Sequence, residues 1–228
     1  KEMRDVAVLV EPLTIAEKGL TQVWQVQQRL PWSCPVTPGK ATAHCRRAVV
    51  LGAGPVGLLG AMALLNKDFD TYVYSRESAP NPKSQLLESI GARYISSEKI
   101  TPEMLPQHVG NIDLVYEATG ASNLSFEMMK YLGTNGIFVF TGVPGRKGSI
   151  EVDTDLMMRN LVLKNQVVFG TVNAGRESFE NSIRDLGTFT KRWPDAVKSL
   201  ITGRFPIDAY GDLLLGRSGG IKNVIQLN

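Results

Sequence analysis

The sequence predicts an α/β fold, a doubly wound parallel sheet with helices on both faces. Two observations lead there. A short, wholly apolar, β-branched run, Ala48-Val49-Val50-Leu51, passes straight into Gly52-Ala53-Gly54-Pro55-Val56-Gly57, and residues 58–66 beyond it are rich in the helix formers Leu, Ala and Met. Further short apolar runs then alternate with helical patterns, and strands spaced by helices imply βαβ units with right-handed crossovers.

The elements are justified in chain order. Val6-Ala7-Val8-Leu9-Val10 leads into Glu11-Pro12-Leu13, after which Ile15, Leu20, Val23, Trp24, Gln27 and Leu30 form a helical stripe that Pro31 ends. Residues 31–45 hold three prolines and a glycine and read as a linker. After the strand at 48–51 and the helix at 58–66 come a strand at 71–75, a helix at 84–90 and a strand at 93–95. Strands at 112–116, 136–140 and 167–171 follow, with helical patterns at 121–132 and 153–162 between them. Beyond Asn173 the rhythm changes: helices are expected at 176–192 and 194–202, a short helical piece at 206–215 and a final strand at 222–227. Pro194 suits the first turn of a new helix. Three segments result: 1–45, a helix and linker; 46–173, the alternating unit; and 174–228, the C-terminal helices and strand.

Composition excludes several classes. In 228 residues, 43% hydrophobic and 21% charged, there is material for a sizeable core without disulfide or metal staples, and too much apolar content for a solvated coil. A net charge of +3 and scattered basic residues give no nucleic-acid footprint. No run approaches the ~18 apolar residues of a membrane span. Lys1, Glu2 and Arg4 open the chain without an initiator Met or a signal-peptide pattern, so the sequence reads as a cytoplasmic fragment. Cys34 and Cys45 are 11 apart, no standard zinc spacing, and are expected to be reduced thiols, with a Cys34–Cys45 disulfide or a site with His44 as the alternatives. Two cysteines and two histidines (His44, His108) equip the chain poorly for a catalytic zinc site.

The glycine segment carries the chemistry. In Gly52-x-Gly54-x-x-Gly57, the first glycine permits a tight turn, the second admits a pyrophosphate close to the backbone, and the third lets helix and strand approach. The helix start offers unpaired N–H groups and the positive dipole end to phosphates, and Pro55 fits its first turn. A bare packing turn or an S-adenosylmethionine site would use similar glycines. At the end of the second strand, where NAD sites place a carboxylate, stand Ser75-Arg76, then Glu77. A guanidinium fork suits a 2′-phosphate, so NADP is expected over NAD, with Glu77 leaving dual use open. The alternative for Arg76 is a solvated loop side chain. Ala118-Thr119-Gly120-Ala121 and Thr141-Gly142-Val143-Pro144 fall where the next strands end, with room for ribose and nicotinamide and plain turn chemistry as the alternative; Thr171-Val172-Asn173 ends the last and can present backbone groups to the carboxamide, and the Asn173 amide can reach toward a substrate hydroxyl.

With these residues in place, the chain resembles the medium-chain dehydrogenase/reductase superfamily. Glu11-Pro12-Leu13 and the glycine turn carry that likeness. Ser75-Arg76-Glu77, Ala118-Thr119-Gly120-Ala121, Gly170-Thr171-Val172-Asn173, Trp193-Pro194-Asp195-Ala196 and Leu200-Ile201-Thr202 narrow it to the C-terminal, cofactor-binding part of archaeal-type glucose 1-dehydrogenases. The resemblance implies a Rossmann fold whose flanking segments pack on an absent catalytic domain. It implies oxidation of an aldose at C1 to a lactone, with hydride passing to NADP or NAD and zinc acting as a Lewis acid from the absent domain. Gly52, Ala53, Gly54, Pro55, Val56 and Gly57 then match the phosphate turn, and Ser75, Arg76 and Glu77 the adenosine ribose site. Thr119, Thr141, Gly142, Val143, Thr171, Val172 and Asn173 fall toward the nicotinamide. Glu11 matches a polar position near metal and sugar, with helix-dipole stabilisation as its alternative role. Ile15 stands where some relatives have an acid, which leaves the sugar open. A homo-oligomer formed through the 136–140 and 167–171 region is also implied. Another polyol or alcohol dehydrogenase and a non-catalytic NADP-binding module are the competing functions.

Overall fold

The structure is a computed structural model, which describes residues 3–30, 45–145, 148–216 and 219–227. The chain opens with a 3₁₀ turn, Arg4–Leu9, that runs into helix α1, Val10–Gln27. Alternation follows: β1 Arg46–Leu51, α2 Pro55–Asn66, β2 Phe69–Ser75, α3 Pro82–Ser89, β3 Arg93–Ser96, α4 Leu105–Val109, β4 Leu114–Glu117, α5 Ser122–Met129, β5 Ile137–Phe140, α6 Thr154–Leu163 and β6 Val167–Gly170. The C-terminal part holds α7 Arg176–Arg192, α8 Pro194–Ser199, β7 Ile201–Pro206, α9 Tyr210–Leu215 and β8 Lys222–Gln226.

The first six strands form one parallel sheet in the order β3-β2-β1-β4-β5-β6. That is the doubly wound order whose switch point lies between β1 and β4. Register makes the carboxyl ends level: Ile95, Tyr74, Leu51, Glu117, Phe140 and Gly170 stand in one row across the sheet. The loops that begin one residue later therefore open along a single edge.

Two apolar layers sandwich the sheet. One joins α1, α2, α3, α7 and α8 to β1, β2, β4 and β5 through residues such as Leu13, Leu20, Leu58, Met62, Leu87, Leu186 and Phe189. The other joins α4 and α5 through Leu105, Val109, Met128 and Met129, with Met157 of α6 at its margin. On α1 the buried stripe is Leu13, Ala16, Leu20, Val23 and Gln27, steps of three and four that keep one side of a helix inward. Ile15, expected in that stripe, is only half-buried.

The tail differs from expectation. A helix over 194–202 was predicted; α8 stops at Ser199, and Ile201–Pro206 is a strand paired in parallel with β8. Its residues alternate half-buried and exposed, the period of a strand with one covered face, and α9 is the crossover between its two strands. The helical piece expected from Pro206 starts later, with a 3₁₀ turn at Ile207–Ala209 before α9. Nor did the sequence reading assign the turn Pro102–Met104 and α4, where Pro102 and Pro106 both occupy first-turn positions. Cys45 is disulfide-bonded, which corrects the reduced-thiol expectation for it; Cys34, with most of the linker at 31–45, lies outside the described residues.

One polar cluster sits in the α1–α2–α7 layer. Glu17 and Asp185 are 2% and 4% exposed, and Lys67 Nζ lies 3.3 Å from Asp185 Oδ2. Burial pushes the Glu17 carboxyl up to about 7, and the neighbouring Asp185 carboxylate adds to the rise, while Lys67 and Arg184 pull the other way. The unfolded chain releases this proton near 4.5, so between those values the folded chain holds a proton that the unfolded chain has lost. Stability contributed by this group is therefore present below about pH 4.5 and is lost as pH rises to about 7. Glu17→Gln should flatten that slope, by on the order of 1–3 kcal/mol over the window, in urea melts run from pH 4.5 to pH 8. A variant whose slope equals that of the wild type would show that Glu17 does not carry it.

Candidate active site cleft

The level carboxyl ends of β1, β2 and β4 open into a cleft of about 710 Å³. Its floor is the glycine turn. Gly52 takes a φ of +101°, in the region where side chains are strained, and its N–H donates to the Tyr74 carbonyl at 2.9 Å. At Gly57 a β-carbon would lie 2.0 Å from the Gly52 carbonyl oxygen, so only glycine lets α2 start this close to β1. A β-carbon on Gly54, by contrast, would meet nothing within 4 Å, since that residue faces the open cleft. Gly54 caps α2 without a side chain, and Pro55 takes the first helical position. The N–H groups of the first turn lack intrahelical carbonyl partners and are available to an anion.

The β2 side supplies charge. Ser75 is the last residue of that strand, and Arg76, just beyond it, is exposed, lines the cleft and makes no ion pair among the described residues. Glu77 also lines the cleft, its carboxylate 2.5 Å from Lys83 Nζ. Thr119 and Val143 complete the set of predicted residues on the walls.

Behind the cleft sits a buried carboxylate. Glu117 ends β4, is fully buried, and accepts four hydrogen bonds. Its Oε1 takes the Thr119 N–H (2.6 Å), the Thr119 hydroxyl (2.6 Å) and the Gly120 N–H (2.8 Å). Its Oε2 takes the Gly142 N–H at 3.1 Å. One side chain thus ties the loop after β4 to the loop after β5, and the Thr141 hydroxyl adds a bond to the Glu117 carbonyl at 2.6 Å.

Comparison with known proteins now decides the family. The model of the glucose dehydrogenase C-terminus matches residues 4–227. The chain belongs to the glucose dehydrogenase C-terminal family. Among its relatives, the glucose 1-dehydrogenase of Methanocella arvoryzae is 31% identical over 227 residues, which cover 100% of this chain and 60% of that protein. The Thermoproteus tenax enzyme of the same name is 34% identical with the same coverage. A solved structure described as Haloferax mediterranei glucose dehydrogenase in complex with NADP, Zn and gluconolactone matches at TM-score 0.81 and 28% identity, over 96% of this chain and 58% of that one. The chain thus spans about 60% of the length of the curated relatives it matches.

In this member of the family the predicted residues divide into three groups. Gly52, Ala53, Gly54, Ser75, Arg76, Glu77, Thr119 and Val143 converge on the cleft. Pro55, Val56 and Gly57 form the start of α2 behind the turn, and Thr141 and Gly142 hold the loops together. Thr171, Val172 and Asn173 lie at the same sheet edge beyond β6 but do not line the cleft. The Val172 carbonyl, expected to be open to a ligand, accepts from Lys18 Nζ at 2.5 Å. Glu11 lies exposed in the first turn of α1, where its charge suits the helix dipole, and is outside the cleft. Among the described residues no three His, Cys, Asp or Glu side chains come together to hold a metal, so this chain's described residues do not form a zinc centre.

Sequence reasoning missed Lys83, Glu98 and Glu117. Lys83 and Glu98 reach the cleft from α3 and from beyond β3, across loops whose course the pattern does not give. Glu117 carried a legible sign, a carboxylate closing a short, mostly apolar strand. Replacing it with alanine would take the shared acceptor from the Thr119 N–H and hydroxyl and from the half-buried Gly120 and Gly142 N–H groups. Glu117→Ala should lower stability by roughly 2–4 kcal/mol in chemical denaturation, the scale of a buried charged group and its partners. A loss below about 1 kcal/mol would mean that the two loops hold without it.

Proposed function

We propose that this chain is the cofactor-binding part of an NADP-dependent aldose 1-dehydrogenase, in which hydride passes from the sugar C1 to the nicotinamide and leaves a lactone. The observation that carries the reading is Arg76. Its guanidinium, without an ion pair among the described residues, stands at the carboxyl end of β2, in the same cleft as a glycine turn that leaves Gly54 open to a ligand. The diphosphate would lie over the start of α2, the adenosine ribose beside Ser75 and Arg76, and the nicotinamide toward Thr141 and the 171–173 segment. The Haloferax mediterranei glucose dehydrogenase structure is a complex with NADP, Zn and gluconolactone, which fits a dinucleotide and a sugar-derived product.

In this reading residues 46–173 are the dinucleotide domain, α1 of the 1–45 segment and α7 and α8 of the 174–228 segment cover one face of its sheet, and the remaining length of the relatives supplies the catalytic part. Zinc and much of the sugar pocket belong to that part, and Glu11 faces it. The enzyme works in the cytoplasm on a small sugar and assembles as a homo-oligomer. Of the two segments expected to support assembly, Ile137–Phe140 is interior to the sheet, which leaves the free edge of β6 and its neighbours on α6, exposed Met158, Val162 and Leu163.

Calorimetric titration with NADP and NAD tests the assignment. Arg76→Ala should weaken NADP by about 1–3 kcal/mol, the scale of a hydrogen bond to a charged group, and change NAD much less. Equal losses for both would overturn the 2′-phosphate assignment. With glucose and NADP supplied, this chain alone should bind the dinucleotide without turning over; robust reduction by it would overturn the placement of catalysis in another part.

A further inference from the structure

Among the described residues the wall of the cleft beyond β2 holds two basic and two acidic side chains, Arg76, Lys83, Glu77 and Glu98. Two cations stand against two carboxylates, so the wall has no net charge to offer a phosphate. What matters is how the charges are paired. Glu77 is bound by Lys83 at 2.5 Å, Glu98 accepts from the Ser78 hydroxyl, and Arg76 is left without an ion pair among the described residues.

Lys83 is not an ordinary surface lysine. Its side chain is 22% exposed against 51% for Glu77. Its backbone is fixed at the start of α3, where the Lys83 and Ser84 N–H groups both donate to Asn81 Oδ1 at 2.9 and 3.0 Å, and the Ser84 hydroxyl accepts from the Asn81 N–H at 3.0 Å. Glu77 hangs from a fixed point too, since the Tyr94 hydroxyl donates to its carbonyl at 2.6 Å. The ion pair therefore bridges two anchored segments and holds the carboxylate toward α3. A freed Glu77 would carry an unpaired negative charge next to Arg76, where it both repels a phosphate dianion and can accept from a ribose hydroxyl.

We propose that Lys83 selects the dinucleotide by holding Glu77: paired, the carboxylate is kept from the ribose 2′ position and Arg76 is free for a 2′-phosphate; released, Glu77 accepts the 2′-hydroxyl of NAD and turns the cleft toward that cofactor. Lys83 is thus a positioning residue that acts through Glu77. The inference rests on the dinucleotide reading of the cleft and adds to it the element that sets the choice between two cofactors.

Titration of the 228-residue chain and its variants with NADP and with NAD tests it. Lys83→Met should weaken NADP about tenfold and tighten NAD severalfold, so that the preference moves in opposite directions for the two ligands. Lys83→Arg should keep the wild-type preference. In Glu77→Gln/Lys83→Met most of the NADP loss should return and the gain for NAD should vanish, because no carboxylate remains to be released. Equal weakening of both cofactors by Lys83→Met, or no change in either, overturns the inference while NADP binding by the wild type leaves the dinucleotide reading standing. A double variant that keeps the full NADP loss also overturns it, since Lys83 would then bond the phosphate itself. Wild-type protein that binds neither dinucleotide would end the dinucleotide reading, and this inference with it. Thermal melts of each variant show whether an altered affinity belongs to folded protein.

Discussion

The contact between Gly57 and the Gly52 carbonyl sets the position of almost everything around it. With no side chain at residue 57, the first turn of α2 comes down onto the end of β1 at a distance that a β-carbon would forbid. This closeness aims the open end of the helix along the sheet edge, where its unpaired N–H groups and dipole meet whatever occupies the cleft. It also buries the flank of α2 against the sheet, with Leu58, Leu59, Met62 and Leu65 in the larger apolar layer. Packing and binding thus use the same geometry. A larger residue at 57 would push the helix away and dissolve both together.

Glu117 plays the complementary part on the other side of the switch point. A carboxylate buried in a sheet is costly unless its oxygens are satisfied, and here four donors from two loops satisfy them. The donors are mostly backbone N–H groups, so the arrangement fixes the path of the chain rather than the position of a few side-chain atoms. The loops after β4 and β5 become a stiff wall facing the glycine turn. A cleft with one wall set by close packing and the other by a satisfied buried charge has little freedom to collapse when empty.

The sheet was legible because a parallel strand buried on both faces leaves a short apolar run, and each of the six runs became a strand to within a few residues. The glycine turn was legible because three steric demands fall at fixed spacing. Arg76 and Glu77 were legible as the residues just past the end of β2. Lys83 was not, since its part in the site depends on the loop 76–81 turning α3 back toward the cleft, and nothing local in Asn81-Pro82-Lys83-Ser84 beyond a helix start gives that direction. The tail failed for a different reason. Ile201-Thr202-Gly203-Arg204-Phe205 has the β-branched and aromatic content of a strand, but it follows α8 with a single residue between, and a continued helix explained the apolar positions equally well.

Length explains why Thr171, Val172 and Asn173, assigned to the nicotinamide, lie away from the cleft while Thr119 and Val143 line it. The described cleft spans the carboxyl ends of β1 to β4 and the start of the loop after β5, the region that the proposed reading gives to an adenosine and its diphosphate. An extended dinucleotide is longer than that region. Its second half would have to run past the Glu117-bound loops toward the ends of β5 and β6, where Thr141 and Thr171 to Asn173 stand on the same row of strand ends. There the wall is one-sided: Val143, Val172 and the nearby surface of α6 are exposed. An open apolar shelf holds a ring poorly, because most of the ring's surface stays in water. On the proposed reading, the catalytic part of the enzyme supplies the opposing wall, so that the nicotinamide is enclosed and the sugar is brought to it in one assembly. On the same reading the adenosine end, held by backbone amides and charge, needs no such lid. On that reading, cofactor binding and cofactor choice reside in these 228 residues, while hydride transfer needs the part of the enzyme that supplies the second wall.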